Sequence, residues 1–249
     1  MGEMTTEDRL EYLRKLEVPP GHEGLVKITP SNDTTEAGYV SGGSLVSFVA
    51  GVSGQARQDV LDSTLLAQLV ANRKHPGDDD IVAWYELYSN VLESGCAWNL
   101  QGKGFDQWES HSSSFTVDKV FFEVLAALLS GDELLLAEST VKAIQKLADD
   151  DERVRVFDSQ SSHAKDGKFQ VSLCTQTNDA VAMKMAVFYF STSQSVTNVL
   201  WFHFTSSDTS FYKGDRTLTL NEKGYAQVRE EVATMLGDRR RSFIRDLEI

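Results

Sequence analysis

The chain has 249 residues, 41% of them hydrophobic, and a formal net charge of −13 from 37 Asp and Glu against 24 Lys and Arg. The apolar content excludes intrinsic disorder, because its burial offsets the entropy of ordering the chain. The acidic field repels polyanions and excludes a sequence-independent nucleic-acid binder, which needs a phosphate-neutralising surface.

The first segment, Thr5 to Glu17, places Leu10, Leu13 and Leu16 at helical spacing, and Pro19 and Pro20 end it. The opening MGEMTTEDRLEYLRKLE is charged throughout and lacks the apolar stretch of a secretory signal. Cytoplasmic synthesis is expected, with any release or membrane association coming later. Gly24–Ile28 reads as a short strand and Thr29–Gly43, rich in Thr, Ser, Gly, Asn and Asp, as a loop. Ser44–Val52 is β-prone and apolar on both faces, as a buried strand would be.

A helical hairpin follows. Val60, Leu61, Thr64, Leu65 and Leu69 fall on one helix face, with Ser53 as N-cap. After His75-Pro76-Gly77, a second helix carries Ile81, Trp84, Tyr85, Tyr88, Val91 and Leu92. Asp78, Asp79 and Asp80 stand at its start, where the helix dipole favours negative charge. Cys96–Trp108 reads as a strand broken at Gly102 and Gly104. A second hairpin begins with the stripe Val117, Val120, Phe121, Val124, Leu125, Leu128 and Leu129. It turns at Ser130–Glu133, a capping-box pattern, and continues through Leu134, Leu135, Val141, Ile144 and Leu147.

Beyond Asp149–Glu152 the pattern turns to β. Arg153–Phe157, Phe169–Thr175, Ala180–Thr192, Val196–Ser206 and Arg216–Asn221 are five candidate strands with short connections, which favour an antiparallel meander. In Ala180–Thr192 the residues Val181, Met183, Met185, Val187 and Tyr189 face one way, and Ala186, Phe188 and Phe190 the other. Such a strand belongs in the middle of a sheet covered on both sides. A last helix spans Glu222 to Leu236, followed by the tail GDRRRSFIRDLEI. The expected fold is one α+β domain over residues 1–249. A mostly antiparallel sheet of about five to seven strands is flanked by two helical hairpins, with N- and C-terminal helices. The hairpins lie mainly in 53–148, the meander in 153–221, and the final helix and tail in 222–249.

No catalytic, cofactor or metal constellation stands out. No two of His22, His75, His111, His163 and His203 lie within five residues of each other, whereas zinc ligands come in local pairs. Gly51-Val52-Ser53-Gly54 lacks the second glycine of a nucleophile elbow. Cys96 and Cys174 are too few for a disulfide scaffold and read as buried thiols. No purely apolar run approaches the ~20 residues of a membrane-spanning helix.

Two clusters suggest contacts. Phe188, Tyr189, Phe190, Trp201, Phe202, Phe204, Phe211 and Tyr212 concentrate aromatic rings among Ser and Thr. Of these, Trp201, Phe202, Phe204, Phe211 and Tyr212 are candidate membrane or lipid contacts, the last two at a loop tip. At the chain end Arg239, Arg240, Arg241 and Arg245 interleave with Phe243 and Ile244. They either close the preceding helix and pair with acids of the same chain, or form an arm docking on an acidic cluster of a second copy, Asp78–Asp80 or Asp149–Glu152, with Asp149, Asp150 and Asp151 as the candidate contacts.

The layout of strand-plus-hairpin twice, then long antiparallel strands, resembles that of the Cyt-type cytolysins. The matching stretches are Val60–Leu92, Val117–Leu147 and Arg153–Asn221. The resemblance implies a sheet flanked by helical hairpins, cytoplasmic synthesis without a signal, and action on membranes. No diagnostic motif aligns, so no residue role carries over. The function expected is that of a membrane-active, pore-forming or toxin-like protein. Its partners would be further copies of itself and a lipid membrane, with no cofactor. A self-assembling structural protein is the alternative. An enzyme or small-molecule binder with a non-local site ranks third.

Overall fold

The computed structural model describes residues 4–20, 28–76, 80–102, 106–108, 114–178, 180–196, 198–200, 202–205 and 209–249. Helix α1 (Thr6–Arg14) starts with a Thr5–Asp8 capping box. A hairpin of β1 (Ala37–Ser41) and β2 (Ser44–Phe48) turns at Gly42, whose φ of +57° suits glycine. The long α2 (Gly54–Lys74) is capped by Ser53, whose side chain accepts from the Ala56 amide. Its partner α3 (Ile81–Asn90), capped by Asp80, runs on into a π-helical turn, Val91–Gly95. Short strands β3 (Trp98–Gln101), β4 (Asp106–Trp108) and β5 (Ser114–Thr116) lead to the hairpin of α4 (Val117–Leu128) and α5 (Asp132–Gln145). Then come α6 (Glu152–Ser161), β6 (Ser162–His163), β7 (Asp166–Thr177), β8 (Ala180–Thr192), β9 (His203–Thr205) and β10 (Thr209–Leu220). The chain closes with α7 (Glu222–Leu236), α8 (Arg239–Phe243) and β11 (Ile244–Leu247).

Among the described residues the main sheet runs β11-β1-β2-β7-β8-β10-β3, with β4 alongside β10 and β6 alongside β7. Every pairing is antiparallel except β2–β7, where Ser44 faces Gln170 and Phe48 faces Cys174 in parallel. The chain makes that crossover through both helical hairpins, which parallel strands require. The hairpins land on opposite faces. One core holds Leu65, Leu69, Trp84, Tyr88, Val228 and Val232 against Phe48, Met183, Met185 and Val187. The other holds Val120, Phe121, Leu125, Val141 and Ile144 against Phe169, Val171, Phe188 and Phe190. The alternation read in β8 is thus the alternation between two cores.

Among the described residues the main sheet has nine strands, where five to seven were expected, and β10 begins at Thr209, well before the expected Arg216. Other segments differ too. Arg153–Phe157 is helical, not a strand. Asp151 caps α6 by accepting from the Arg153 amide at 2.9 Å, and Val154, Phe157 and Ser161 line its buried side. A short apolar run such as VRVF satisfies either period, and the cap decides. The Thr29–Gly43 loop contains β1, which pairs with β2 on one side and with β11, from the other end of the chain, on the other. Val196–Ser206 is not a long central strand: among its described residues only His203–Thr205 is extended, paired with β5 in a separate two-stranded sheet. Val196, Val199 and Leu200 instead bury from an irregular segment, tied where the Val196 amide donates to the Ala164 carbonyl at 2.8 Å. At the α4–α5 turn the N-cap is Gly131, so only one limb of the capping box forms, from the Ser130 amide to Glu133 Oε2. Of Gly24–Ile28, all but Ile28 lies outside the described residues, as do His22, Asp78, Asp79, Gly104 and His111.

Candidate functional site: a long apolar sheet under two unlike covers

Strands β7, β8 and β10 have 12, 13 and 12 residues. At ~3.4 Å per residue each extends for about 40 Å. They form a continuous antiparallel unit, from Asp166↔Ser191 to Thr177↔Ala180 on one side of β8 and from Thr209↔Thr192 to Leu220↔Val181 on the other. On the α4–α5 side the sheet is paved with rings. Phe169 and Phe188 stack at 4.9 Å, Phe190 and Phe211 stack at 6.1 Å, and Phe121 of α4 meets Phe169 and Phe188 edge-on at 6.2 Å.

The two covers are held differently. The α2–α3 side is stitched by polar contacts. Asp62 takes a two-pronged grip from Arg240 and Asp59 one from Arg229, all at 2.7–2.8 Å. Ser63 accepts from the Trp98 indole at 3.0 Å. Gln68 donates to the Ser41 carbonyl and to Ser44 Oγ, and accepts from the Gly43 amide. The Lys168 ammonium lies 4.5 Å from the centre of the Trp84 ring.

The α4–α5 hairpin is held by apolar contact. Val117, Val120, Phe121, Leu125, Ala137, Val141 and Ile144 are all at most 1% exposed. Among the described residues, its side-chain polar links to the main sheet are two. Ser47 donates to Thr140 Oγ1 at 2.8 Å, and Lys184 pairs with Glu133 at the same distance at a partly exposed position. In water this apolar contact is worth ~25 cal/mol per Å2. In a bilayer it is worth little, because lipid tails are as apolar as the contact itself.

The described candidate lipid contacts do not form one patch. Phe211 is 1% exposed and packs on Phe188, Phe190 and Trp108, while Tyr212 faces the opposite side beside Tyr189. Both lie within β10, not at a loop tip. Phe202 is half-buried and stacks on Phe190 at 5.7 Å. Trp201 and the side chain of Phe204 lie outside the described residues.

Three of the four tail arginines bond within the chain. Arg239 donates to the carbonyls of Met235 and Leu236, closing α7, and to that of Pro19. Arg240 holds Asp62, and Arg245 pairs with Glu152. Phe243 and Ile244 pack on the α2 core. Arg241 is exposed and makes no ion pair among the described residues. Asp149 and Asp150 are exposed, whereas Asp151 is gripped by Arg153, which holds its carboxyl down at about 2.

The sequence reading missed Asp59 and Asp62, which are 2% and 1% exposed in the middle of α2. Two carboxylates three residues apart inside an apolar helix are the signal that could have found them. Burial pushes the Asp62 carboxyl up to about 6 against the opposing pull of Arg240. Burial also raises both free thiols, Cys96 and Cys174, far above the range of a thiolate nucleophile. Burial lowers His163, and the side chain of His203 is not described. No group of three or more His, Cys, Asp or Glu able to hold a metal occurs among the described residues. No helix among them is long and apolar enough to cross a membrane.

No family model matches the chain, and no curated protein sequence matches it. Among solved structures it is similar to the Evf virulence factor, with a TM-score of 0.38 and 11% identity, covering 81% of this chain and 84% of that one. It is also similar to the activated Cyt2Ba monomer from Bacillus thuringiensis subsp. israelensis, at 0.32 and 10%, covering 55% and 79%. A third similar structure is a delta-endotoxin, at 0.31 and 13%, covering 82% and 89%. At this level a likeness carries no information about activity.

Proposed function

We propose that this protein acts on lipid membranes as a self-associating, pore-forming protein, with the α4–α5 hairpin as the detachable cover. The observation that carries the reading is the unequal attachment of the two covers. A bilayer competes with apolar contacts and leaves polar ones costly to break, so the hairpin with two polar links to the sheet is the one it can take. Once uncovered, the Phe169, Phe188, Phe190 and Phe211 surface would face lipid. Strands of 12 and 13 residues exceed the ~9–11 residues that cross a hydrocarbon core. An open three-stranded unit has two unpaired edges, which hydrocarbon does not tolerate, so inserted strands would pair with those of further copies. Homo-oligomers are therefore part of the reading.

Ser47 and Thr140 supply the test, since their hydroxyl oxygens are 2.8 Å apart across the interface between β2 and α5. The double variant Ser47→Cys/Thr140→Cys should release dye from vesicles when reduced and fail when the bond is closed. Equal release in both states would exclude hairpin detachment. No release by the parent from any vesicle would remove the membrane reading, and regular assemblies forming without lipid would favour a structural role.

A further inference from the structure

Among the described residues, nine buried side-chain nitrogen or oxygen atoms lack a hydrogen-bond partner. Five of them belong to the end of α6 and the segment beside it: Asp158 Oδ1, Ser161 Oγ, Ser162 Oγ, His163 Nδ1 and Asn198 Oδ1. Buried polar groups are paired in all but a few cases, so this concentration calls for a ligand. Asp158, Ser161 and Ser162 are spaced i, i+3 and i+4 and share one side of the helix end. Ser161 is 0% exposed. Two anchors bring Asn198 to the same side. The Val196 amide donates to the Ala164 carbonyl at 2.8 Å, and the Val199 amide bonds the Asp158 carboxylate. The segment from 196 to 199 therefore runs back along 158–164, with Asn198 between its anchors.

The charges gathered here are of one sign. The C-terminus of α6 carries partial negative charge, and its last turn holds no basic residue to offset it. Asp158 adds a full negative charge and makes no ion pair among the described residues. Asp149, exposed to solvent, lies near enough to oppose that charge further. Four of the five unpartnered atoms are oxygens. A carboxylate and an amide oxygen only accept, so Asp158 and Asn198 cannot satisfy each other. The Ser161 and Ser162 hydroxyls donate to neither.

We infer that Asp158, Ser161, Ser162 and Asn198 form a calcium site, with Asp149 adding charge from its solvent side. Calcium takes oxygen ligands in a flexible geometry. Magnesium demands a near-ideal octahedron, which one carboxylate, one amide and two hydroxyls do not offer. His163 is left out of the ligand set, because hard cations prefer oxygen to imidazole nitrogen. The bound ion would tie the 196–199 segment to α6, and with it Val196 and Val199 of the aromatic-lined core. Calcium binding stands apart from membrane activity: dye release can fail while calcium still binds.

The test is calorimetric titration of the full, chelator-treated chain with calcium chloride, with thermal unfolding across the same concentrations. Calcium at about a hundredfold its dissociation constant should raise the melting temperature by about 5 °C or more. Magnesium at the same concentration should raise it by less. Asp158→Asn and Asn198→Ala should each weaken calcium binding by about tenfold or more, as losing a group that holds a metal does. Asp149→Asn changes an exposed side chain and should weaken binding without touching the fold. Asp150→Asn, equally exposed and next in sequence, should leave it unchanged. Melting curves without calcium separate these effects from loss of fold. Saturable one-to-one binding with that pattern supports the site. No binding, or binding unchanged by Asp158→Asn and Asn198→Ala, overturns the inference. So does binding weakened equally by Asp149→Asn and Asp150→Asn, since the acidic chain then only gathers counter-ions.

Discussion

Arg240 closes a two-pronged ion pair on Asp62, at 2.7 and 2.8 Å, across 178 positions of sequence, with side chains 5% and 2% exposed. The pair locks the last segment of the chain onto the middle of α2. Gln58 adds a bond to the same carboxylate at 3.0 Å, and Arg229 holds Asp59 one turn earlier. Removing one partner of a buried pair leaves the other charge uncompensated. Arg240→Ala should therefore cost about 3–5 kcal/mol. Replacing both, as Asp62→Leu with Arg240→Met, should restore most of that loss. Urea unfolding of the two single variants and the double variant checks this.

Deleting Arg239–Ile249 removes that arginine and also β11, which covers the edge of β1 from Gly38↔Leu247 to Ser41↔Ile244. The truncated chain should unfold at a clearly lower denaturant midpoint and aggregate more readily through the bared edge. An unchanged midpoint by circular dichroism would mean that the tail is dispensable to the fold.

Leu125 on α4 is 1% exposed in the aromatic-lined core. Leu125→Ala should cost about 2–5 kcal/mol, because a buried cavity replaces it. If α4 is part of the detachable cover, the same change should speed dye release from vesicles. A stability loss below about 1 kcal/mol would argue that the hairpin is loosely seated already.

Asp158 on α6 leaves its Oδ1 without a hydrogen-bond partner, and burial pushes its carboxyl up to about 6 from an ordinary 3.8. Between those values the folded chain holds a proton that the unfolded chain lacks. The contribution of this group to stability is thus fully present below 3.8 and lost as pH rises through about 6. Asp158→Asn never ionises, and its amide oxygen can still accept from Val199. The variant should be more stable than the parent well above pH 6 and level with it below 3.8. Paired melting curves across that range would reveal the crossover.

The parts whose signal is local are legible in the residues alone. Helical periodicity placed α2, α3, α4, α5 and α7, and alternation in Ala180–Thr192 assigned each side chain to one of two cores. That both hairpins are needed as covers followed from a strand apolar on both faces. The remainder depends on contacts between distant parts of the chain. Strand β1 lies in a stretch rich in Gly, Ser and Thr that reads as a loop, and β2 and β11 pair with it from either side. The segment from Val196 buries its side chains without a ladder of its own, because the Ala164 carbonyl holds it. The partners of Asp59 and Asp62, Arg229 and Arg240, come from the far end of the chain, out of reach of any local pattern. The difference between a stitched cover and an apolar one is therefore invisible in the sequence, since a buried charge is tolerated only by a partner that the fold, not the neighbouring residues, brings to it.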